Sequence, residues 1–229
     1  KFIAITCTIL FMLVKVCQAG NEVIVYTSED KICSEPVLQA FEKKTGIKVR
    51  TIYDTEETKS TGLANRLIAE KDNPRADVFW SGEPVRPVLL KIKGLTIPYV
   101  SSAAADISTI YKDTEGHWTG FSARARIILY NSSLVSMDER PLSILDLAKS
   151  KWRDQVAIAN PLFGTTSVHM AALFIILGDE KARKFMNDLK ANGVKIVSSN
   201  SEVRRLVARG EVKLGITDTD DANVAVREG

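Results

Sequence analysis

Histidine is scarce in this sequence, and so are the motifs of catalysis. Among 229 residues there are only two histidines, His117 and His169, and they do not stand at the spacing of a metal-binding motif. Neither a phosphate-binding P-loop nor a nucleophile motif is present. We therefore expect no catalytic residue and no resident cofactor, and we interpret the chain as a protein that is not an enzyme.

Cysteine is too sparse to stabilise the fold through disulfide bonds. Of three cysteines, Cys7 and Cys17 lie in an apolar segment at the N-terminus, which leaves Cys33 alone in the rest of the chain. A single thiol cannot form an internal disulfide, so the fold must depend on packing. No partner base for Cys33 is indicated, and we assign it no nucleophilic role.

A large excess of charge of either sign is also missing. Lysine and arginine number 31 against 28 aspartate and glutamate, a formal net charge of +3. Two of those lysines, Lys1 and Lys15, lie in the N-terminal segment that we expect to be removed. The near-neutral remainder gives no support for a nucleic-acid partner. With 45% hydrophobic and 26% charged residues, the composition is typical of a globular protein.

Long apolar runs are confined to the N-terminus. Residues 2–14 form such a run behind Lys1, and small residues follow at Ala19 and Gly20. As a helix the run would be about 20 Å long, short of the roughly 30 Å hydrocarbon core of a bilayer. The pattern predicts a signal peptide over residues 1–19, and hence a periplasmic or secreted protein.

Two kinds of anchor are alternatives to cleavage. The apolar run could serve as a short membrane anchor. A lipid anchor at Cys17 is disfavoured, because bulky Val16 and charged Lys15 precede it where small residues are wanted.

Strand and helix patterns alternate along the rest of the chain. NEVIVYTS, IKVRTIYD and ADVFWSG have strand character, with the helical patterns SEPVLQAFEKKTG and TGLANRLIAEKDNP between them. This order is typical of parallel strands joined by right-handed crossovers. HWTGFSARARIILYN then predicts a long strand and SILDLAKSKW a helix. A second alternating set follows, with QVAIAN, VKIVSSN and KLGITDTD as its strands.

No repeat, low-complexity segment or flexible linker divides the two sets. We therefore predict an α/β fold of two lobes joined by crossing strands, the first over residues 20–125 and the second over 126–229. In open α/β sheets, ligands bind beyond the carboxyl ends of the strands. The segments in that position are YTSED, FWSGEP, NPLFGTTS, SSNSE and TDTDDAN.

These strand ends, in this order, resemble the ferric-iron-type family of periplasmic solute-binding proteins (extracellular solute-binding protein family 1). VIVYTSED, AFEKKTGIKV and ADVFWSGEP are similar to its first lobe, GFSARARIILYN to its hinge strand, and ILDLAKSKWRDQVAIANP to the entry of its second lobe. The resemblance covers roughly residues 21–229. It implies a two-lobed periplasmic-binding-protein fold (type II). Family members continue through a return crossing and a closing helix, so we expect a chain truncated at its C-terminus, with an incomplete first lobe.

The resemblance also implies a metal site, with altered residues. Iron-binding members carry a histidine after the first strand, an acid after the ADVF strand and two adjacent tyrosines after the late strand. Here Asp30 and Glu83 match the first two positions, and Thr219 and Asp220 match the tyrosines. Both phenolates are absent, so the iron assignment does not carry over. If a metal binds, Asp220, Asp30 and Glu83 are its candidate ligands.

Asp218, Asp220 and Asp221 place several acceptor groups at one strand end. Such a cluster needs cations or hydrogen-bond donors beside it at neutral pH. A hard metal ion or an ammonium group of a ligand would meet that need. The alternative for Asp221 is that it caps the helix that follows.

A second set of residues indicates an anion. Gly164, Thr165 and Thr166 precede or open a helix, whose free amides favour phosphate or carboxylate. The resemblance places the anion that accompanies the cargo here, with Asn200 as another contact. Ordinary capping by Thr165 or Thr166 is the alternative.

The hinge strand and a neighbouring tryptophan complete the predicted site. Arg124 and Arg126 alternate to the same side of the strand, and we take Arg124 as a candidate contact to an anion. Solvated arginines are the alternative. Trp80 is a candidate wall of the cleft, with core packing as the alternative.

The function predicted from these features is cargo binding for an ABC importer. The cargo would be iron or another metal with a synergistic anion, or a phosphonate or phosphorylated small molecule, which a monomer delivers to a permease in the inner membrane. A metal-dependent phosphohydrolase and the ligand-sensing domain of a membrane receptor remain the alternative functions.

Overall fold

The computed structural model describes residues 21–55 and 58–228. The predicted signal peptide over residues 1–19 and the disfavoured lipid anchor at Cys17 lie outside the described residues. Within the described ranges, no helix is both long and apolar enough to cross a membrane.

The first sheet has three parallel strands, as the alternating pattern predicts, and their order is β2-β1-β3. Its central strand is built from β-branched and aromatic residues, and Val25 pairs with Thr51 on one side and Val78 on the other. Gly46 ends the first helix in the left-handed conformation, with φ of 72°, which glycine adopts without a steric penalty. The elements of this part are β1 (Glu22–Thr27), α1 (Lys31–Thr45), β2 (Lys48–Tyr53), α2 (Thr61–Ala69), β3 (Val78–Trp80) and α3 (Val85–Ile92).

The second sheet has four strands in the order β4-β7-β5-β6. Its strand β4 runs antiparallel to β7, and the other pairs are parallel. The chain thus makes an α/β fold with two sheets, as predicted. The elements of this part are β4 (Arg126–Tyr130), β5 (Val156–Ala159), α4 (Gly164–Leu177), α5 (Asp179–Ala191), β6 (Lys195–Val197), α6 (Asn200–Ala208), β7 (Leu214–Asp218) and α7 (Thr219–Glu228).

The apolar core lies on both faces of the second sheet. Along β5, Val156 and Ile158 belong to one cluster of buried residues and Ala157 to another, because successive side chains of a strand point to opposite faces. Gly215 on β7 lets helix α6 approach closely, since a Cβ built there would lie 2.3 Å from Val203 Cγ1. The ends of these firmly packed strands and helices are therefore held in fixed positions.

Two predictions for the middle of the chain were wrong. The expected long strand is confined to β4, because residues 121–125 cross between the two sheets and have no strand beside them. The expected helix around SILDLAKSKW is two short 3-10 helices, Ile144–Ala148 and Ser150–Trp152. Lys149 separates them in an extended conformation, with φ of −68° and ψ of 142°, so a continuous α-helix cannot form.

Candidate ligand-binding cleft

A cleft lies where the strand ends of the two sheets face each other. All five segments predicted from the strand ends contribute to its lining. The loop after β2 contributes as well, through Lys59 and Ser60, which the sequence reasoning missed although the same rule on strand ends applies to β2. The predicted residues that line the cleft are Asp30, Glu83, Arg124, Gly164, Thr165, Thr166, Asn200, Asp218 and Asp221.

Helices α4 and α6 both begin at this cleft. Ser199 caps α6 by accepting a hydrogen bond from the Glu202 amide at 3.1 Å. Gly164 opens α4 with φ of 54°, and its amide donates to the carbonyl of Lys59 at 3.2 Å across the cleft. The remaining amides of these first turns, together with the positive ends of two helix dipoles, make this wall of the cleft suited to an anion.

A buried ion pair contacts the first residues of α4 and α6, which form that wall. Arg126 donates from Nη1 to Asp218 Oδ1 at 2.8 Å, and only 15% and 3% of the two side chains are exposed. The Thr165 hydroxyl and the Asn200 amide each donate to Asp218 Oδ2 at 2.9 Å. The Thr166 hydroxyl accepts from Arg126 Nη2 at 3.2 Å. The two threonines therefore tie α4 to β4, β7 and α6, and neither caps the helix, which was the alternative to an anion contact.

A second arginine crosses between the two sheets. Arg124 donates to Asp220 Oδ2 at 2.7 Å and to the Gly82 carbonyl at 3.3 Å, and it lies 3.4 Å from a carboxylate oxygen of Glu29. Burial alone would lower the pKa of Arg124, but the charges of Glu29 and Asp220 outweigh it and raise the pKa. Burial raises the pKa of Glu29, although Arg124 opposes that shift. Arg124 thus stays charged and joins the β1 and β3 ends to the start of α7.

The three acids predicted as metal ligands are each already partnered. Asp30 forms an ion pair with Lys59, and Asp220 forms one with Arg124. Glu83 is almost fully buried. Its carboxylate accepts hydrogen bonds from the Val85 amide at 2.6 Å and from the Arg86 amide at 3.1 Å, so it caps α3. The charges of these three carboxylates are therefore already compensated by Lys59, Arg124 and two backbone amides, where a metal ion would otherwise neutralise them.

One group of acids does lie close enough to share an ion. Single oxygens of Asp218, Asp220 and Asp221 fall within 4.8 Å of one another. Asp221 is not a helix cap: it lies inside the first turn of α7 and accepts from the Thr217 hydroxyl at 3.0 Å. Burial raises the pKa of Asp221, the Thr217 hydroxyl opposes the shift, and the charge of Asp220 adds to it.

Three predicted site residues are not in the cleft lining. Trp80 packs instead against Phe121, with ring centroids 5.3 Å apart. Thr219 pairs with the backbone of Ala125, donating its amide at 3.1 Å and accepting at its hydroxyl at 3.3 Å. Asp220 lies beside the cleft and accepts a hydrogen bond from Arg124, which is part of the lining.

Tyrosine and a reactive thiol are missing from the described cleft lining. The Tyr26 hydroxyl, on β1, donates to Glu70 Oε2 at 3.0 Å instead. Partial desolvation raises the pKa of the exposed Cys33 thiol, and the charges of Glu29 and Asp30 add to the shift, so the thiolate is disfavoured. The cleft as described offers neither phenolate ligands nor a thiolate nucleophile.

Comparisons with known proteins agree with this architecture. The Fe(3+)-binding periplasmic protein of Serratia marcescens is 28% identical over 200 residues, which cover 86% of this chain and 57% of the relative. The major ferric iron-binding protein of Neisseria meningitidis is 26% identical over 193 residues, or 83% of this chain and 56% of the relative. The chain thus spans a little over half the length of these curated relatives.

Solved structures share the fold. Iron-bound HitA from Pseudomonas aeruginosa superposes with a TM-score of 0.83 at 24% identity, over 90% of this chain and 66% of that one. The apo ferric ion-binding protein A of Pasteurella haemolytica superposes with a TM-score of 0.75 at 27% identity, over 87% and 62%. The resemblance to periplasmic solute-binding proteins and their fold is confirmed. Since residues 25–228 also match the family described as bacterial extracellular solute-binding protein, the chain belongs to that family.

Proposed function

We propose that this protein is the substrate-binding subunit of an ABC importer, and that it captures a small polar solute carrying an anionic group. It works in the periplasm, with lobes over residues 20–125 and 126–229, and passes its cargo to a permease in the inner membrane. The main observation in support of this proposal is that helices α4 and α6 both begin at one cleft between the two sheets. The family match and the periplasmic relatives support the transport role.

The charge balance of the cleft favours an organic anion as cargo. Arg126 pairs with Asp218, Arg124 is shared by Asp220 and Glu29, and Lys59 pairs with Asp30. Because these acids already have cationic partners, the first-turn amides of α4 and α6 are the groups suited to a new charge-assisted contact. A phosphonate or phosphorylated small molecule fits that arrangement.

A metal ion with a bound anion is the second candidate cargo. The close oxygens of Asp218, Asp220 and Asp221 favour it, and so do the names of the ferric-binding relatives. Against it stand the cationic partners of Asp218 and Asp220 and the lack of tyrosine in the described lining. Catalysis has less support, because the relatives reported above are named as binding proteins and Cys33 is held as a thiol.

A thermal-shift screen of the purified protein tests the proposal. The screen compares inorganic phosphate, phosphonates and sugar phosphates with metal–anion pairs. A cargo at a hundredfold excess over its dissociation constant should stabilise the protein by about 2.7 kcal/mol. Stabilisation by an organic anion without metal supports the first cargo, and stabilisation that requires both metal and anion supports the second.

Two variants place the binding event in the cleft. Gly164→Val should lessen the stabilisation, because it puts a branched side chain at the α4 N-terminus. Asp220→Ala should increase the stabilisation by an anion, because it removes a negative charge and leaves Arg124, which lines the cleft, without its closest carboxylate. Gly178→Val is the control for backbone strain, since Gly178 also has a positive φ, 77°, and open space around it. If neither Gly164→Val nor Asp220→Ala changes the stabilisation, the site lies elsewhere.

A further inference from the structure

Ser60 lies at the turn between β2 and α2 in a conformation that side chains rarely adopt. Its φ is 59° and its ψ is −37°. The Thr61 amide donates to the Lys59 carbonyl at 2.7 Å, which closes a γ-turn with Ser60 at its centre. Such a turn is strained for a residue with a Cβ, whereas glycine would adopt it at little cost. Ser60 therefore has a side chain at a position whose backbone conformation favours glycine.

The side chain of Ser60 is also buried without a partner. Only 2% of the residue is exposed, and its Oγ has no hydrogen-bond partner in the described part of the chain. Buried hydroxyls are normally hydrogen-bonded, because an unpaired one loses its contact with water without compensation. Since Ser60 lines the cleft, a bound solute is the partner that its position allows.

The same turn touches the anion-binding wall directly. The Lys59 carbonyl, one residue before Ser60, accepts the amide of Gly164 at 3.2 Å. Gly164 is the first residue of α4, so the Ser60 turn and the α4 N-terminus face each other across the cleft. An anion bound at that N-terminus would lie beside the turn.

We propose that Ser60 is the contact from the first sheet to the anionic group of the cargo. Its Oγ donates a hydrogen bond to a phosphate or phosphonate oxygen that the amides of α4 hold from the other side. This inference rests on the proposed function and adds a specificity-determining residue to it. A hydrogen bond from each side makes the anion a bridge between the two halves of the cleft, so that binding favours the closed arrangement.

Two substitutions at Ser60 separate the role of the hydroxyl from that of the strained backbone. Ser60→Ala removes the hydroxyl and keeps the strain, whereas Ser60→Gly removes both. Ser143→Ala is the control, because Ser143 caps a 3-10 helix in the second half of the chain and its hydroxyl accepts the Leu145 amide outside the cleft. Calorimetric titration of each variant with inorganic phosphate and with methylphosphonate gives the affinities, and thermal melting gives the stabilities.

We expect both Ser60 variants to bind about tenfold to a hundredfold more weakly than the wild-type protein, the range for a hydrogen bond to a charged group. Ser60→Gly should melt at the wild-type temperature or higher, and Ser143→Ala should melt lower but bind normally. Wild-type affinity in both Ser60 variants would overturn the role of Ser60 and leave the proposed function standing. Failure of the wild-type protein to bind either anion would overturn both.

Discussion

Removal of the Arg126 guanidinium should destabilise the protein strongly. Arg126→Met leaves the Asp218 carboxylate, 3% exposed, without its only cation at hydrogen-bond distance among the described residues. Loss of one partner of a buried ion pair costs about 3–5 kcal/mol. Asp218 keeps two donors, Thr165 and Asn200, each at 2.9 Å, so we expect the lower end, about 3 kcal/mol. For a chain of this size that lowers the melting temperature by roughly 6–12 °C.

Urea denaturation followed by tryptophan fluorescence measures this loss, since buried Trp152 belongs to the core of the same sheet. The double variant Arg126→Met with Asp218→Leu should recover part of the stability, because an apolar pair replaces the unpaired charge while Thr165 and Asn200 lose their acceptor. Lys184→Met is the control: its pair with Asp188 is 74% and 42% exposed and should be worth under about 0.5 kcal/mol. A cost below about 1 kcal/mol for Arg126→Met, or no recovery in the double variant, would refute the reasoning.

Three further predictions concern pH, iron and export. Because burial raises the pKa of Asp221 in the folded protein, its share of stability is present below the unfolded pKa and is lost as pH rises through the folded pKa. Asp221→Asn should therefore gain stability relative to wild type as pH rises above about 4, the range of an unperturbed aspartate, which melting curves across pH would show; a constant difference would contradict this. Ferric citrate should produce no visible tyrosinate absorption, since no tyrosine is among the described residues that line the cleft; a strong band would mean that a tyrosine reaches the metal. N-terminal sequencing of exported protein should find a start near Gly20, and retention of residues 2–14 or a lipid on Cys17 would disprove cleavage.

The fold was predictable from sequence where a pattern repeats over short distances. Alternation of strand and helix patterns gives the parallel first sheet and the second α/β set, and Gly46 marks the end of α1. The wrong predictions lie where the structure depends on distant neighbours. Residues 119–125 have strand character, but a strand forms only where β7 lies alongside, from Arg126 onwards.

The position of the site was predictable, and the pairing of its charges was not. Strand ends identified five of the segments around the cleft, because parallel strands place their carboxyl ends at one edge. The partner of Arg124 is Asp220, 96 residues away, and no local pattern connects the two. Glu83 is different: it stands two residues before the first residue of α3, so a capping role could have been recognised from sequence.

The residue pattern around Ser60 does not predict its role. TEETKSTG is polar and reads as a loop, and a strained φ cannot be inferred for a serine from its neighbours. The rule on strand ends, applied to β2 as well as to the other strands, would have included this loop among the candidates.

Native mass spectrometry of the protein purified from its producing cells tests the central claim most directly. The account predicts a bound small organic anion, with no iron, whose occupancy falls in Gly164→Val and stays high in the strain control Gly178→Val. Equal occupancy in the two variants, or a ferric ion as the bound mass, would contradict it.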